Sequence, residues 1–305
     1  MPREGEPQQP PWKVLVIVLF CFTAEAVCYV DRTNISIAIV AMSRDYGWDD
    51  AARSLVLSSF FIGYMTTQVI GGVLSRRYGG RIVLGVGVVV WSTFTMATPF
   101  AASQSFAALI ACRICMGIGE GVAMPSIHQL LGVWVPAEWR SIATAFATSG
   151  QAVGTIAAMM STPLAARSWQ SLFLGFGALG LVWTITFAVA SPKEGTSRVA
   201  ARSGDDGRGD QLESVELESV ELEDYGREEE EEDDEEEEEE EVGAKQASRT
   251  QWKVAARMAC HPPVWGIFIA HFAHNYGYYV LLSWMPQYFI SLGVSLASVG
   301  AFAVG

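Results

Sequence analysis

The sequence predicts an all-α membrane protein: a six-helix bundle, a cytoplasmic linker and an incomplete second bundle. Hydrophobic residues make up 50% of the 305 residues, although the formal net charge is −13. Several apolar stretches reach about 20 residues, the length of helix that crosses roughly 30 Å of hydrocarbon. The acidity is localised, because every position from 228 to 241 is Asp or Glu. Such a run of like charge repels itself into disorder, so we interpret it as a solvated linker.

Changes in composition divide the chain into four parts. Residues 1–13 form a short polar N-terminus without the pattern of a cleaved signal peptide. Residues 14–190 form the six-span bundle, residues 191–250 the acidic disordered linker, and residues 251–305 the start of a second bundle. The six spans are predicted at 14–42, 54–75, 82–101, 106–135, 141–164 and 169–190. An amphipathic lead-in at 252–258 precedes a seventh span at 263–289, and an eighth span begins at 296.

The first span has a polar C-terminal half that reads YVDRTNISIAIVAM. Glu25, Tyr29, Arg32 and Ser36 are spaced by four, three and four residues, so they share one helix face. A charge at the bilayer centre costs roughly 2.5 to 3.5 kcal/mol on insertion scales, so this face is expected to meet protein or water.

The second span and the turn after it combine small, polar and basic residues. Tyr64 lies among Gly63, Gln68 and Gly71, where glycines favour close helix packing. The turn reads GGVLSRRYGGRIVLG over residues 71–85. Arginine and lysine are concentrated in the loops after the second, fourth and sixth spans. This asymmetry places the N-terminus and the acidic linker in the cytoplasm.

The fourth span carries Arg113, Glu120 and His128 inside an apolar, Gly-rich helix. Arg113 and Glu120 are seven residues apart, about two turns, and therefore lie on one stripe. This stripe has two interpretations: part of a functional cavity, or a structural ion pair between the two residues. Cys112 and Cys115 form a C-x-x-C in a helical context, which indicates core thiols rather than zinc or redox chemistry.

The seventh span places His271, His274, Asn275 and Tyr278 at i, i+3, i+4 and i+7, one face of a helix. This face is typical of a cavity lining. A third metal ligand is not evident, so neither a metal site nor a cofactor is predicted.

Four stretches together resemble a known family. They are YVDRTNISIAIVAM, GGVLSRRYGGRIVLG, RICMGIGEGVAMPSIHQLLGVW and PPVWGIFIAHFAHNYGYYVLLSWMPQYF. The chain resembles the N-terminal half, linker and seventh span of the major facilitator superfamily, specifically its anion:cation symporter branch. That branch contains sodium/phosphate cotransporters, sialin, vesicular glutamate transporters and plant plastid phosphate and anion transporters.

The resemblance implies cation-coupled transport of a small anion, inorganic phosphate or an organic anion, with Na⁺ or H⁺ and by alternating access. The implied partners are the lipid bilayer, the anion and the coupling ion, and not nucleic acid. Arginine has a permanent charge and a planar donor fork suited to carboxylate and phosphate. The expected substrate-binding residues are Arg32, Arg113, Tyr29, Tyr64, His274 and Asn275. The candidates for coupling or proton transfer are Glu25, Glu120 and His128, and those for a conformational turn are Gly72, Arg77, Gly79 and Arg81.

Structural alternatives remain for each of these groups. Arg32 is alternatively paired with Glu25 or Asp31, and Arg113 with Glu120. For His128, a hydrogen-bonded helix histidine near the cytoplasmic end is favoured over a proton relay. Arg76 occupies the acidic position of the superfamily turn, which puts that family's cytoplasmic latch in doubt. His274 stands where vesicular glutamate transporters have arginine, which favours a substrate other than glutamate.

Two further functions are weighed against transport. One is a non-transporting membrane scaffold or sensor that acts through the acidic linker, and the other is an inactive truncated transporter. An enzyme is not predicted, because no nucleophile with an adjacent base or metal cluster is visible. The sequence leaves open whether the membrane is the plastid envelope, the plasma membrane or that of another organelle.

Overall fold

The computed structural model describes residues 10–192, 261–295 and 298–299. The predictions for the first nine residues, for the acidic linker after residue 192 and for the lead-in at 252–258 lie outside the described residues. Most of the predicted eighth span lies outside them as well.

The first described part is an all-helical bundle. Its helices, in chain order, are α1 Pro11–Tyr46, α2 Asp50–Tyr78, α3 Gly80–Gln104, α4 Phe106–Gly121, α5 Ala123–Trp134, α6 Arg140–Met160, α7 Thr162–Ala165 and α8 Trp169–Ala190.

The first three loops of the bundle are shorter than the sequence predicts, because the helices on either side of them continue further than the predicted spans. α1 runs past residue 42 to Gly47, which has a φ of 66°. That left-handed conformation suits glycine. Asp49 then caps α2 by accepting a hydrogen bond from the Ala52 N–H at 2.8 Å. Gly79, with a φ of 83°, separates α2 from α3.

The predicted fourth span consists of two helices rather than one. α4 ends at Gly121, and α5 begins one residue later, after Val122. Pro125 lacks the N–H that would bond to the Gly121 carbonyl, so the helical ladder is interrupted at this point. The predicted fifth span is also divided, since α6 ends at Met160 and the short α7 follows.

Five stretches of the described residues are long and apolar enough to cross a membrane. They are Pro11–Tyr46, Asp50–Tyr78, Gly80–Gln104, Phe106–Trp134 and Trp169–Ala190. α6 is helical as predicted but does not belong to this set, because polar and small residues from Ser149 to Thr155 lower its hydropathy.

The helices pack in pairs that leave charged residues in the interior. α1 packs along α6, α2 along α4, and α3 along α4 and α8. The contact between α2 and α4 is close because Gly63 and Gly117 lie at the crossing. A Cβ atom at Gly117 would overlap the Phe60 carbonyl oxygen, and one at Gly63 the Ile114 carbonyl oxygen. This crossing brings α2 aromatic rings beside the charged residues of α4.

The second described part is the helix α9, Pro262–Ser291, whose bounds lie close to the predicted 263–289, although it is not among the five stretches of the described residues that are apolar enough to cross a membrane.

Candidate functional site

Five charged side chains lie buried inside the first bundle. Glu25, Asp31 and Arg32 come from α1, and Arg113 and Glu120 come from α4; the most exposed, Arg32, shows 6% of its surface. We call these five residues the buried charge cluster. Burial of an unpaired charge costs several kcal/mol. The contacts of each member therefore indicate which charges are compensated and which are available to a ligand.

Arg32 and Glu120 form an ion pair between α1 and α4. The Arg32 Nε–H donates to Glu120 Oε1 at 2.6 Å, and Nη2 donates to the same oxygen. The Cys28 thiol, one turn before Arg32, also donates to Glu120 Oε1 at 3.0 Å. The sequence offered Glu25 or Asp31 as alternative partners of Arg32, and the ion pair found among the described residues is the one with Glu120.

Aromatic rings surround the Arg32 guanidinium. Its Cζ lies 4.8 Å from the ring centre of Tyr29, 4.6 Å from that of Tyr64 and 5.2 Å from that of Phe60. Cations at these distances are attracted to the ring faces. Two of the predicted substrate-binding residues, Tyr29 and Tyr64, therefore contact the predicted anion-binding Arg32.

Arg113 is buried and forms no ion pair among the described residues, although Glu120 and Asp31 lie near enough to act on its charge. Its Cζ lies 5.2 Å from the Phe60 ring centre, and Nη1 donates to the Met116 sulfur at 3.0 Å. Its Nε makes no hydrogen bond among the described residues. A direct Arg113–Glu120 ion pair, the structural alternative from the sequence, is not found among the described residues, where Glu120 is bonded to Arg32.

Asp31 is a member of the cluster that sequence reasoning did not assign to the site. It has 0% exposure, and neither carboxylate oxygen makes a hydrogen bond among the described residues. The charges acting on it are Glu120 and Arg113, and the polar groups near it are the Trp91 indole and the Thr95 hydroxyl. The only sequence signal was an acid next to Arg32, on a different helix face.

Glu25 lies where α1 packs against α6. The Gln151 amide donates to Glu25 Oε2 at 2.9 Å, whereas Oε1 has no hydrogen-bond partner among the described residues. Glu25 thus joins Glu120 and Asp31 as a buried acid with at least one unsatisfied oxygen, and its coupling role remains a prediction.

His128 lies apart from the buried residues. It is exposed, and its Nδ1 lies 2.9 Å from the Met124 carbonyl one turn earlier. This geometry is that of the hydrogen-bonded helix histidine favoured from the sequence.

The predicted residues of the seventh span lie on α9. His274 is exposed and Asn275 is half-buried, and the His274 and Tyr278 rings stack with centres 6.4 Å apart. Side chains one turn apart on the same helix face lie next to each other, which explains this stacking. Substrate binding by these residues remains a prediction.

The turn between α2 and α3 is fastened to neighbouring helices. Arg81 donates to Ser191 Oγ at 2.5 Å and to the Ala188 carbonyl at 2.6 Å, which ties the start of α3 to the end of α8. Arg77 is exposed over the Tyr78 ring, and Gly79 has the positive φ already described. Gly72 faces Pro125 of α5. A conformational role for this turn remains a prediction.

The chemistry available to the cluster is anion binding and cation or proton exchange. Two guanidinium groups lie in a medium from which water is largely excluded, where their attraction for an anion is strong. Three carboxylates beside them accept a cation or a proton. The described residues contain no group of three His, Cys, Asp or Glu side chains arranged to hold a metal ion.

Comparison with known proteins finds curated transport proteins of similar sequence. The chain is 37% identical over 279 residues to the "Ascorbate transporter, chloroplastic" of Arabidopsis thaliana, covering 90% of the chain and 45% of that protein. It is 36% identical over 289 residues to the "Sodium-dependent phosphate transport protein 1, chloroplastic" of the same plant, covering 92% and 50%. For the "Probable anion transporter 1, chloroplastic" of Oryza sativa subsp. japonica, identity is 36% over 308 residues, covering 99% and 52%. The chain thus spans about half the length of these curated relatives.

Solved structures share the fold. A D-xylose–proton symporter superposes with a TM-score of 0.65 at 17% identity, covering 94% of this chain and 64% of the symporter. A bacterial homolog of the human lysosomal transporter Spinster, inward-facing and unoccupied, gives 0.61 at 17% identity, covering 96% and 59%. The family model of the Major Facilitator Superfamily matches residues 21–305. The chain therefore belongs to the Major Facilitator Superfamily.

Proposed function

We propose that this protein is a secondary active transporter of small anions, coupled to Na⁺ or H⁺. The observation that carries the proposal is Arg113, a fully buried guanidinium with an unsatisfied Nε and no ion pair among the described residues. A buried charge without a partner is destabilising by several kcal/mol, and it persists where function requires it. An anionic substrate supplies the missing partner.

Arg32 supplies the second cation, but its charge, unlike that of Arg113, is paired with a carboxylate. Glu120 neutralises it while no anion is bound, and Tyr29 and Tyr64 hold the guanidinium in place. An arriving anion competes with Glu120 for the donor fork of Arg32. The two arginines then bind the anion by charge-assisted hydrogen bonds, which are about twice as strong as neutral ones.

The buried acids provide the coupling. When Arg32 turns to the anion, Glu120 loses its counter-charge, and a proton or Na⁺ then compensates it. Asp31, with two unsatisfied oxygens, is the second carboxylate placed to accept such a cation. Binding of the anion and of the cation therefore favour each other, which is the requirement for symport.

The names of the relatives support a choice of substrate class and membrane. Those names specify ascorbate, phosphate and anions for the relatives, and each contains the word chloroplastic. We propose inorganic phosphate or an organic anion such as ascorbate as the substrate, and the plastid envelope as the membrane. Transport proceeds by alternating access, with the six-span bundle rocking against a second bundle around the buried site.

The test is uptake into proteoliposomes. Protein-dependent uptake of radiolabelled phosphate or ascorbate, increased by an inward Na⁺ or H⁺ gradient, is expected. Arg32→Ala and Arg113→Ala are each expected to reduce uptake at least about 30-fold, the effect of removing one partner of a buried charge pair. The exposed Arg44→Ala serves as the matched control and keeps its activity. Undiminished uptake by both site variants contradicts the proposal.

A further inference from the structure

Three hydrogen bonds converge on one oxygen of the buried charge cluster. Glu120 Oε1 accepts from the Arg32 Nε and Nη2 and from the Cys28 thiol, whereas Glu120 Oε2 has no hydrogen bond among the described residues. The orientation of this carboxylate is therefore set through a single oxygen.

Both groups that hold this oxygen come from the same helix. Cys28 and Arg32 lie one turn apart on α1, and the Cys28 sulfur is 3.8 Å from Arg32 Nη2. Glu120 approaches them from α4. Without the thiol, Arg32 is the one group left among the described residues that donates a hydrogen bond to this carboxylate, and rotation that brings Oε2 towards Arg32 no longer breaks a second bond.

The contact is specific to this cysteine. Cys21 lies on the same helix and is equally buried, yet it makes no hydrogen bond among the described residues. A thiol is a weak donor compared with a hydroxyl or an ammonium group. Cys28 therefore restrains Glu120 without fixing it permanently.

We propose that Cys28 is a positioning residue that holds Glu120 against Arg32 and thereby sets the affinity of the site for its anion. The inference rests on the proposed function, because it requires an anion that competes with Glu120 for Arg32. Loss of the thiol weakens the Arg32–Glu120 pair in the empty site. The anion then displaces Glu120 more easily and binds more tightly.

Equilibrium binding of phosphate and of ascorbate to the purified protein in detergent tests the effect on affinity. Cys28→Ala is expected to bind the anion about three- to tenfold more tightly, the effect of removing one modest hydrogen bond. Cys28→Ser retains a donor and is expected to keep or lower the wild-type affinity. The buried control Cys21→Ala is expected to bind as the wild type does. Unchanged or weaker binding by Cys28→Ala, or equal affinities of Cys28→Ala and Cys28→Ser, overturns the inference.

A double-mutant cycle separates this inference from the proposed function. In the absence of anion, Cys28→Ala is expected to shift the unfolding equilibrium about three- to tenfold in the wild-type background and less than about twofold in a Glu120→Leu background, which has no acceptor for the thiol. Equal shifts in both backgrounds overturn the role of Cys28. Absence of phosphate and ascorbate binding in the wild-type protein contradicts the proposed function and the effect on affinity, and the cycle still decides whether Cys28 positions Glu120.

Discussion

The guanidinium of Arg113 lies between the Phe60 ring and the Met116 sulfur, whereas that of Arg32 lies against a carboxylate. Phe60 contacts both guanidinium groups at 5.2 Å from its ring centre, so the two cations share one aromatic neighbour. This arrangement gives the two arginines different tasks. Arg113 keeps an unsatisfied donor for an anion, and Arg32 exchanges Glu120 for the same anion.

Asp31→Asn removes a buried carboxylate without changing its shape. Because neither Asp31 oxygen makes a hydrogen bond among the described residues, we expect the variant to fold and to bind anion. Uptake driven by a Na⁺ or H⁺ gradient is expected to fall to the rate without a gradient, while exchange of internal for external anion continues. The exposed Asp50→Asn is the control, and it is expected to keep gradient-driven uptake. Full gradient-driven uptake by Asp31→Asn excludes Asp31 as the coupling acid.

Helical spacing predicts which residues share a face, but it does not predict partners across helices. Arg32 and Arg113 were identified because charge inside an apolar span is conspicuous. Their partners depend on the packing of α1, α2 and α4, so Glu120 was matched with Arg113 on its own helix. Phe60 and Cys28 gave no signal, since apolar residues and thiols are ordinary inside a span.

The crossing of α2 and α4 sets the position of Phe60 relative to both arginines. Gly117→Ala places a methyl group against the Phe60 carbonyl oxygen, so the helices must separate. We expect a loss of about 1 to 3 kcal/mol in unfolding free energy, the usual cost of overpacking, together with weaker anion binding.

Gly132→Ala is the matched control for that substitution. Gly132 lies in α5, and a Cβ atom there meets no atom within 4 Å. Alanine favours a helix over glycine by up to about 1 kcal/mol, so this variant is expected to be equal or more stable in thermal unfolding. Equal stability of the two alanine variants contradicts the close packing of α2 on α4.

Arg81 fastens the start of α3 to the end of α8. Arg81→Ala removes its hydrogen bonds to Ser191 and to the Ala188 carbonyl, and we expect a loss of about 1 to 3 kcal/mol in unfolding free energy. The exposed Arg77→Ala, in the same turn, is expected to have a smaller effect. The reverse order in chemical unfolding contradicts the fastening role.

Element type was predictable from apolar length, whereas the breaks within elements were not. A continuous fourth span followed from its hydropathy, yet Pro125 removes one ladder bond and divides it into α4 and α5. The short loop before α2 depends on a left-handed glycine and an aspartate cap, two local features that a hydropathy pattern does not contain.

The predicted orientation of the bundle in the membrane can be tested. Tyr78 lies just before the start of α3, and Gln104 is the last residue of that helix. The 25 residues of α3 span about 37 Å. The arginine-rich turn is predicted to face the cytoplasm. In intact host cells that express the protein in their plasma membrane, a membrane-impermeant maleimide is expected to label Gln104→Cys above the parent protein and to label Tyr78→Cys only after permeabilisation. The opposite pattern reverses the predicted orientation of the N-terminus and the linker.

Anion binding by Arg113 is tested most directly by the stabilisation of the purified protein with phosphate or ascorbate. A ligand that binds the folded state raises the unfolding temperature in proportion to the logarithm of its concentration above Kd. The wild-type protein and Arg44→Ala are expected to show this rise with at least one of the two anions, and Arg113→Met is expected to show none. An equal rise in Arg113→Met and the wild type would contradict the claim that Arg113 binds the transported anion.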